Sequence, residues 1–291
     1  MKIVIKSYKL FFLNQILLFL LLVFTISSCV SRKNRLKPVK GYHLVWNDEF
    51  NIDGVPNPDN WNYEHGFVRN LEDQWYQKEN AVCKDGYLII TAKQASKPNP
   101  DFESKEHEDW RKNRDSIKVT SSCLLTANKH SWKYGRFEMR AKIPVGDGIW
   151  PAFWTLGVDG NWPSNGEIDI MEYYKGNILA NIAWESNQKW KPIWNSKTYN
   201  LNTFKDNWAN EFHVWRMDWD ETSIKLYVDN QLLNEADLAT TINETNHKNP
   251  FHQPHYLLIN LAIGGLNGGA YTKTIFPVVY EIDYLRVYQK E

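Results

Sequence analysis

The segment Gly166-Glu-Ile-Asp-Ile-Met-Glu-Tyr173 places three carboxylic acids within six residues: Glu167, Asp169 and Glu172. In a strand, side chains alternate between faces, so Glu167 and Asp169 share one face while Ile168 and Ile170 take the other. Glu172 then falls on the wrong face, because its offset from Glu167 is odd. A β-bulge adds one residue and would return Glu172 to the acid face; Met171 is the natural bulge residue. Three acids on one strand face repel one another and resist desolvation, a cost that proteins concentrate at functional sites. The chemistry they suit is glycoside hydrolysis with retention, in which two carboxyl groups about 5–5.5 Å apart act as nucleophile and general acid/base. A third acid between them can hold a proton and drive their pKa values apart. Two other readings compete: an exposed polar strand face, and a hard-cation site, for which no His or Asn stands at a ligand spacing.

Aromatic residues surround this segment. Trp150 and Trp154 flank Pro151, Trp162 lies in the loop that leads to the acids, and Trp184 follows at a distance that suits the neighbouring strand of the same face. Flat apolar rings with a polar edge stack on sugars, so these four are the candidate walls of a sugar-binding cleft. Core packing is the alternative for each. The chain carries 14 Trp, 15 Tyr and 13 Phe in 291 residues, more tryptophan than its core needs.

The elements that must position these residues read as strands. Tyr87–Ala92 follows an Asp85-Gly86 turn signal, and Arg136–Ile143 alternates strictly up to Pro144. Glu211–Trp219 alternates, Asp220-Glu221 turns, and Ser223–Val228 follows. Tyr256–Ile263 is apolar throughout, which predicts a central strand, and Val279–Tyr288 closes the chain. Many short strands with almost no helical periodicity predict an all-β sandwich or barrel. The polar stretch Lys93–Asp115 reads as a long loop with a short helix near Glu106–Arg111. No second linker follows Gly41, so residues 41–291 form one domain.

The N-terminal segment is different. Lys2, Lys6 and Lys9 precede an apolar run from Phe11 to Ile26, the order of a secretory signal. The run is shorter than the roughly 20 residues of a membrane span. It ends in Ser27-Ser28-Cys29, similar to a bacterial lipoprotein signal, with Ser where Ala and Gly are usual. Residues 1–28 are thus expected to be removed, Cys29 lipidated, and residues 29–40 a basic tether; ordinary secretion and a retained anchor are the alternatives. This places the domain at the cell envelope. The 34 basic and 34 acidic residues balance, and losing three lysines leaves the mature chain at net −3. That charge argues against a nucleic-acid partner. Cys83 and Cys123 read as buried thiols or as one disulfide, and neither as a nucleophile.

With the motif Glu-Ile-Asp-Ile-Met-Glu172 in place, residues Tyr42 to Gln289 resemble glycoside hydrolase family 16, the laminarinase-like endo-glycanases. Tyr134-Gly-Arg-Phe-Glu-Met-Arg-Ala-Lys142, Trp150-Pro-Ala-Phe-Trp154, Asn260-Leu-Ala-Ile-Gly-Gly265 and Asp283-Tyr-Leu-Arg-Val-Tyr288 fall in that family's order. The resemblance implies a two-sheet antiparallel jelly roll of concanavalin type with a concave cleft. It implies Glu167 as nucleophile, Asp169 as assisting acid and Glu172 as acid/base. It implies that Arg69 and Asn70 hydrogen-bond sugars on the non-reducing side. It also points to a structural Ca²⁺ near Glu49, the backbone around Gly86 and Asp283, with no cofactor required for the reaction. The implied partner is a polysaccharide, bound by a monomer.

The chain departs from the family at sugar-contacting positions. Where many laminarinases carry His-Trp after the acid strand, this chain reads Ile182-Ala183-Trp184. Gly264-Gly265 is followed by Leu266-Asn267-Gly268-Gly269 in place of Trp-Pro, and Cys123 stands where an Arg is common. These departures leave the hydrolase expectation intact but loosen the substrate, with galactose-containing glycans such as agar, porphyran or mucin as the alternative to β-1,3- or mixed-linkage glucan. A glycan binder and a transglycosylase remain the competing functions on the same scaffold.

Overall fold

The computed structural model describes residues 38–291, and Gly41–Glu291 form one compact unit. Residues 1–28, the lipidation site Cys29 and the tether up to residue 37 lie outside the described residues.

Two sheets face each other across a shared core. The first runs β15 (Gln231–Asp237), β14 (Ser223–Val228), β13 (His213–Trp219), β8 (Gly135–Lys142), β17 (Val278–Lys290), β5 (Tyr87–Pro98), β6 (Ser116–Ser121) and β3 (Gln74–Tyr76). In it β1 (Tyr42–Asp48) pairs with β17, and β4 (Ala81–Lys84) with β5. The second runs β12 (Pro192–Asn200), β11 (Asn177–Glu185), β10 (Glu167–Tyr174), β9 (Ile149–Gly157), β16 (His255–Ile263), β7 (Cys123–Leu125) and β2 (Asn62–Tyr63). The pairings are antiparallel except that short β3 joins β6 in parallel. This is the expected sandwich of jelly-roll type.

Alternation builds the core. β8 and β13 bury every second residue, so Phe137, Met139, Trp215 and Met217 meet Phe153, Ile168, Ile182 and Ile259 of the second sheet. The apolar run predicted to be central is β16, flanked by β9 and β7 and buried at all positions but Tyr256. Much of the tryptophan excess is spent here: Trp61, Trp184, Trp208, Trp215 and Trp219 all belong to the main core.

The polar stretch differs from expectation. β5 continues to Pro98, so only residues 99–115 form the connection, and they hold turns in place of a helix. The reason is local. The Asn99 amide donates to the carbonyls of Arg111 and Arg114, at 2.9 and 2.7 Å. His107 and Asp109 side chains each accept the N–H two residues on, which competes with helical bonding.

Candidate active site

Strand β10 carries all three acids. Against β9, Asp169 pairs with Trp154, Met171 with Phe153 and Glu172 with Ala152, so Ile170 is passed over. Against β11, Asp169 faces Asn181 and Glu172 faces Leu179, leaving Ile170 and Met171 across from Ala180. The bulge exists, but it is centred on Ile170 rather than on Met171 alone. Both side chains turn into the core, and that double inward turn returns Glu172 to the face of Glu167 and Asp169. This face looks away from the first sheet.

Neighbouring strands hold the carboxyls in place. The Trp150 indole N–H donates to Glu172 Oε1 at 2.9 Å, and the Asn181 amide donates to Glu172 Oε2 at 2.9 Å. The Trp162 N–H donates to Glu167 Oε2. Asp169 hydrogen-bonds to both glutamates, is 2% exposed, and leaves its Oδ2 without a partner.

Burial sets the ionisation of the trio. It pushes Asp169 well above the usual aspartate range, helped by the charges of Glu172 and Glu167, so Asp169 holds a proton more tightly than an ordinary aspartate. Burial also raises Glu167, but the hydrogen bonds from Asp169 and Trp162 and the Arg69 charge oppose it. Glu172 is pushed up to about 7 by burial, against the pull of Trp150 and with the Glu167 charge adding to the rise. The site can therefore present one carboxylate beside one carboxylic acid, which is what acid-assisted displacement at an acetal carbon requires.

One wall is a loop. Arg69 pairs with Glu64 and lies over the Trp154 ring, 5.1 Å from its centroid. Asn70 donates to Glu72 Oε1 at 3.3 Å. From there a chain of hydrogen bonds runs through buried groups. Gln74 and the Tyr76 hydroxyl both donate to Glu72 Oε2. Asn260 donates to the Tyr76 hydroxyl, and the Trp154 indole donates to Asn260. The loop is gripped from both sides. Gly265 approaches so closely that a Cβ there would meet the Asn70 carbonyl at 2.7 Å, and Leu266 N–H donates to that carbonyl. Opposite, Arg111 donates to the Val68 carbonyl, and Arg114 donates to those of Leu71 and Glu72. Asn70 and Leu71 both take positive φ, 54° each, a conformation that neighbours must impose on residues with a Cβ.

This assigns the 99–115 connection a positioning role. Arg114→Ala removes two charged donors and is expected to cost about 1–3 kcal/mol of stability. With the loop loosened, KM on polysaccharide should rise several-fold while kcat holds within about twofold, the pattern of lost ground-state binding. Denaturant titration and steady-state kinetics check both.

Of the predicted cleft walls, Trp150, Trp154 and Trp162 reach the acids, the first and third as hydrogen-bond donors. Trp184 does not. It pairs with Ile193, shares the face of Ile182 and lies in the core. The same bulge explains this: Glu167 faces Ala183, one residue short of Trp184. Asp283 gives its carboxylate to Arg140, and Glu49 accepts from both Nε and Nη2 of Arg286. A cation would meet two arginines there, so the expected calcium donor set does not fit. Among the described residues no three His, Cys, Asp or Glu side chains cluster as a metal site. Cys83 and Cys123 are free buried thiols in different sheets. Asn181, Glu72, Tyr76 and Asn260 belong to the site and were not predicted.

The fold and the site together define a β-sandwich protein of the carbohydrate-cleaving kind. Residues 70–285 match the family model for glycosyl hydrolases family 16, and the chain belongs to that family. A beta-glucanase from Rhodothermus marinus is 34% identical, the match covering 85% of this chain and 85% of that one. Glucan endo-1,3-beta-glucosidase A1 from Niallia circulans is 32% identical over 87% of this chain and only 39% of its own length. Among solved structures, the laminarinase catalytic domain from Thermotoga maritima MSB8 is 32% identical with a TM-score of 0.72, covering 87% of this chain and 100% of that one. A structure described with endo-acting O-glycanases that human gut microbiota express to initiate mucin breakdown is 33% identical, with a TM-score of 0.79 over 88% of this chain and 93% of that one.

Proposed function

We propose that this protein is a retaining endo-β-glycanase that hydrolyses internal β-glycosidic bonds of a polysaccharide, β-1,3- or mixed-linkage glucan being the substrate. The observation that carries the proposal is the bulged β10, which sets an acid held near pKa 7 beside a carboxylate under hydrogen-bond control. Glu167 attacks the anomeric carbon while the Glu172 proton passes to the departing oxygen. Glu172, now a carboxylate, takes a proton from water, whose oxygen displaces Glu167 and leaves the β configuration restored. Asp169 keeps its proton throughout and steadies Glu167. Arg69 and Asn70 bind sugars on the non-reducing side, with Trp154 beneath.

The substrate proposal leans on the relatives named for β-1,3-glucan hydrolysis. The mucin O-glycanase structure, with a TM-score of 0.79, and a keratan-sulfate endo-1,4-beta-galactosidase from Sphingobacterium multivorum, 27% identical, favour galactose-containing glycans as the second reading. A purely binding role suits the acids poorly. A beta-1,3-glucan-binding protein from Penaeus monodon is 37% identical over 52% of this chain, yet a binder gains nothing from a buried acid triad. We propose further that Cys29 is lipidated after loss of residues 1–28, tethering the domain to the cell envelope. Among the described residues, no helix is long and apolar enough to cross a membrane.

Digestion of laminarin, mixed-linkage glucan, agar, porphyran, carrageenan and mucin glycans, with product sizes and the anomer of the first-formed product read by NMR, tests the assignment. Oligosaccharides from a β-1,3-containing glucan, released as the β anomer, are expected. Release of the α anomer would overturn the retaining mechanism, and cleavage of the galactose-containing polymers alone would overturn the glucan assignment.

A further inference from the structure

The acid face does not end at the acids. Glu167 pairs with Ala183 on β11, and Ala183 pairs with Trp194 on β12. Directly paired residues of antiparallel strands project to the same face, so Glu167, Ala183 and Trp194 lie in one row. Strand spacing puts the Trp194 backbone about 10 Å from that of Glu167. The residue between them on β11, Ala183, is small and fully covered. The next row is Asp169, Asn181 and Ser196, again without bulk on the outer strand. Ile193 turns the other way and packs against the core, and the Asn195 amide ties β12 to the Glu235 carbonyl at 3.0 Å. The strand that presents Trp194 is therefore anchored on its inner face.

Trp194 is 45% exposed. A tryptophan held half-exposed on an anchored strand, in the row of Glu167 and two strands away from it, has the form of a stacking platform. It lies on the side of the acids opposite the Arg69 and Asn70 loop. We propose that Trp194 is the leaving-side platform of the cleft, stacking a pyranose of the departing portion of the chain. The proposal rests on the retaining endo-glycanase reading and names the part of the substrate that this side holds. During turnover the same platform holds an acceptor sugar against the glycosyl-enzyme, so it also biases the choice between water and a second glycan.

The test compares wild type, Trp194→Ala and Trp194→Phe on a β-1,3-linked glucose hexasaccharide labelled with ¹⁸O at its reducing end. Expected for Trp194→Ala is a fall in kcat/KM of about tenfold and a shift of cleavage toward the reducing end, because binding energy beyond the scissile bond is gone. Transglycosylation products at high substrate should fall in step, and Trp194→Phe should restore both the wild-type bond choice and most of the rate. A loss of rate with an unchanged bond pattern would reduce Trp194 to a structural role and overturn the proposal. So would an unchanged rate and pattern. If the wild-type protein leaves the hexasaccharide and every polymer of the panel intact, the proposal falls together with the reading it rests on.

Discussion

Glu167→Gln is expected to lower turnover by roughly 10⁴-fold or more while leaving glycan affinity within a few-fold of wild type. The side chain keeps its size and can still accept from the Trp162 indole. What disappears is the carboxylate that, as proposed, forms the bond to the anomeric carbon. In the proposed reading binding comes instead from Trp154, from the loop around Arg69 and Asn70, and from the outer strands, none of which the substitution touches. Calorimetric titration with the released oligosaccharides, next to kinetics on polymer, separates the two effects. A truncated variant, Glu167→Ala, sharpens the test. It opens space where azide can act as an external nucleophile, and a single displacement from that side gives the α-glycosyl azide. Wild-type rates for Glu167→Gln, or a β-azide from Glu167→Ala, would remove Glu167 as nucleophile.

The bulge separates what is legible in the sequence from what is not. Parity within one strand was enough to require an extra residue between Asp169 and Glu172, and the structure contains it. The same extra residue also shifts the pairing across the hairpin. Lys175 and Gly176 form a two-residue turn with both φ angles positive, 49° and 76°, the geometry of a tight hairpin connection. Without a bulge that turn would set Trp184 opposite Glu167 and on its face. With the bulge, Ala183 stands there and Trp184 turns into the core, while Asn181 arrives beside Glu172. Trp194 follows by the same counting. The strands themselves were legible because alternation is a local property; Ser223–Val228 is β14 to the residue. Glu72, Tyr76 and Asn260 were not legible, because their link is made by contacts between two sheets and a loop, far apart in the chain. Nor was the pairing of Asp283 with Arg140, which the register of β8 against β17 creates.

Glu172 is the second residue whose loss should dominate. In the proposed first step its proton goes to the leaving oxygen, so Glu172→Ala should slow cleavage of natural glycan by about 10²–10⁴-fold. A dinitrophenyl glycoside leaves without a proton, and its first step should be nearly spared. Azide should then accelerate the variant and yield the β-glycosyl azide, since Glu167 still supplies the first displacement. The pH dependence carries the same logic. The proposed mechanism needs Glu172 protonated and Glu167 ionised, so kcat/KM for wild type should fall on the acid side as Glu167 gains a proton. On the basic side it should fall through about 7 as Glu172 loses its own. The basic limb should vanish in Glu172→Ala. Asn181 fixes the sign of a finer shift. Its amide donates to Glu172 and favours the ionised form, so Asn181→Ala should move the basic limb upward, extending activity to higher pH even as the peak rate drops. A limb that stays in place would mean that Asn181 holds the strand and not the proton.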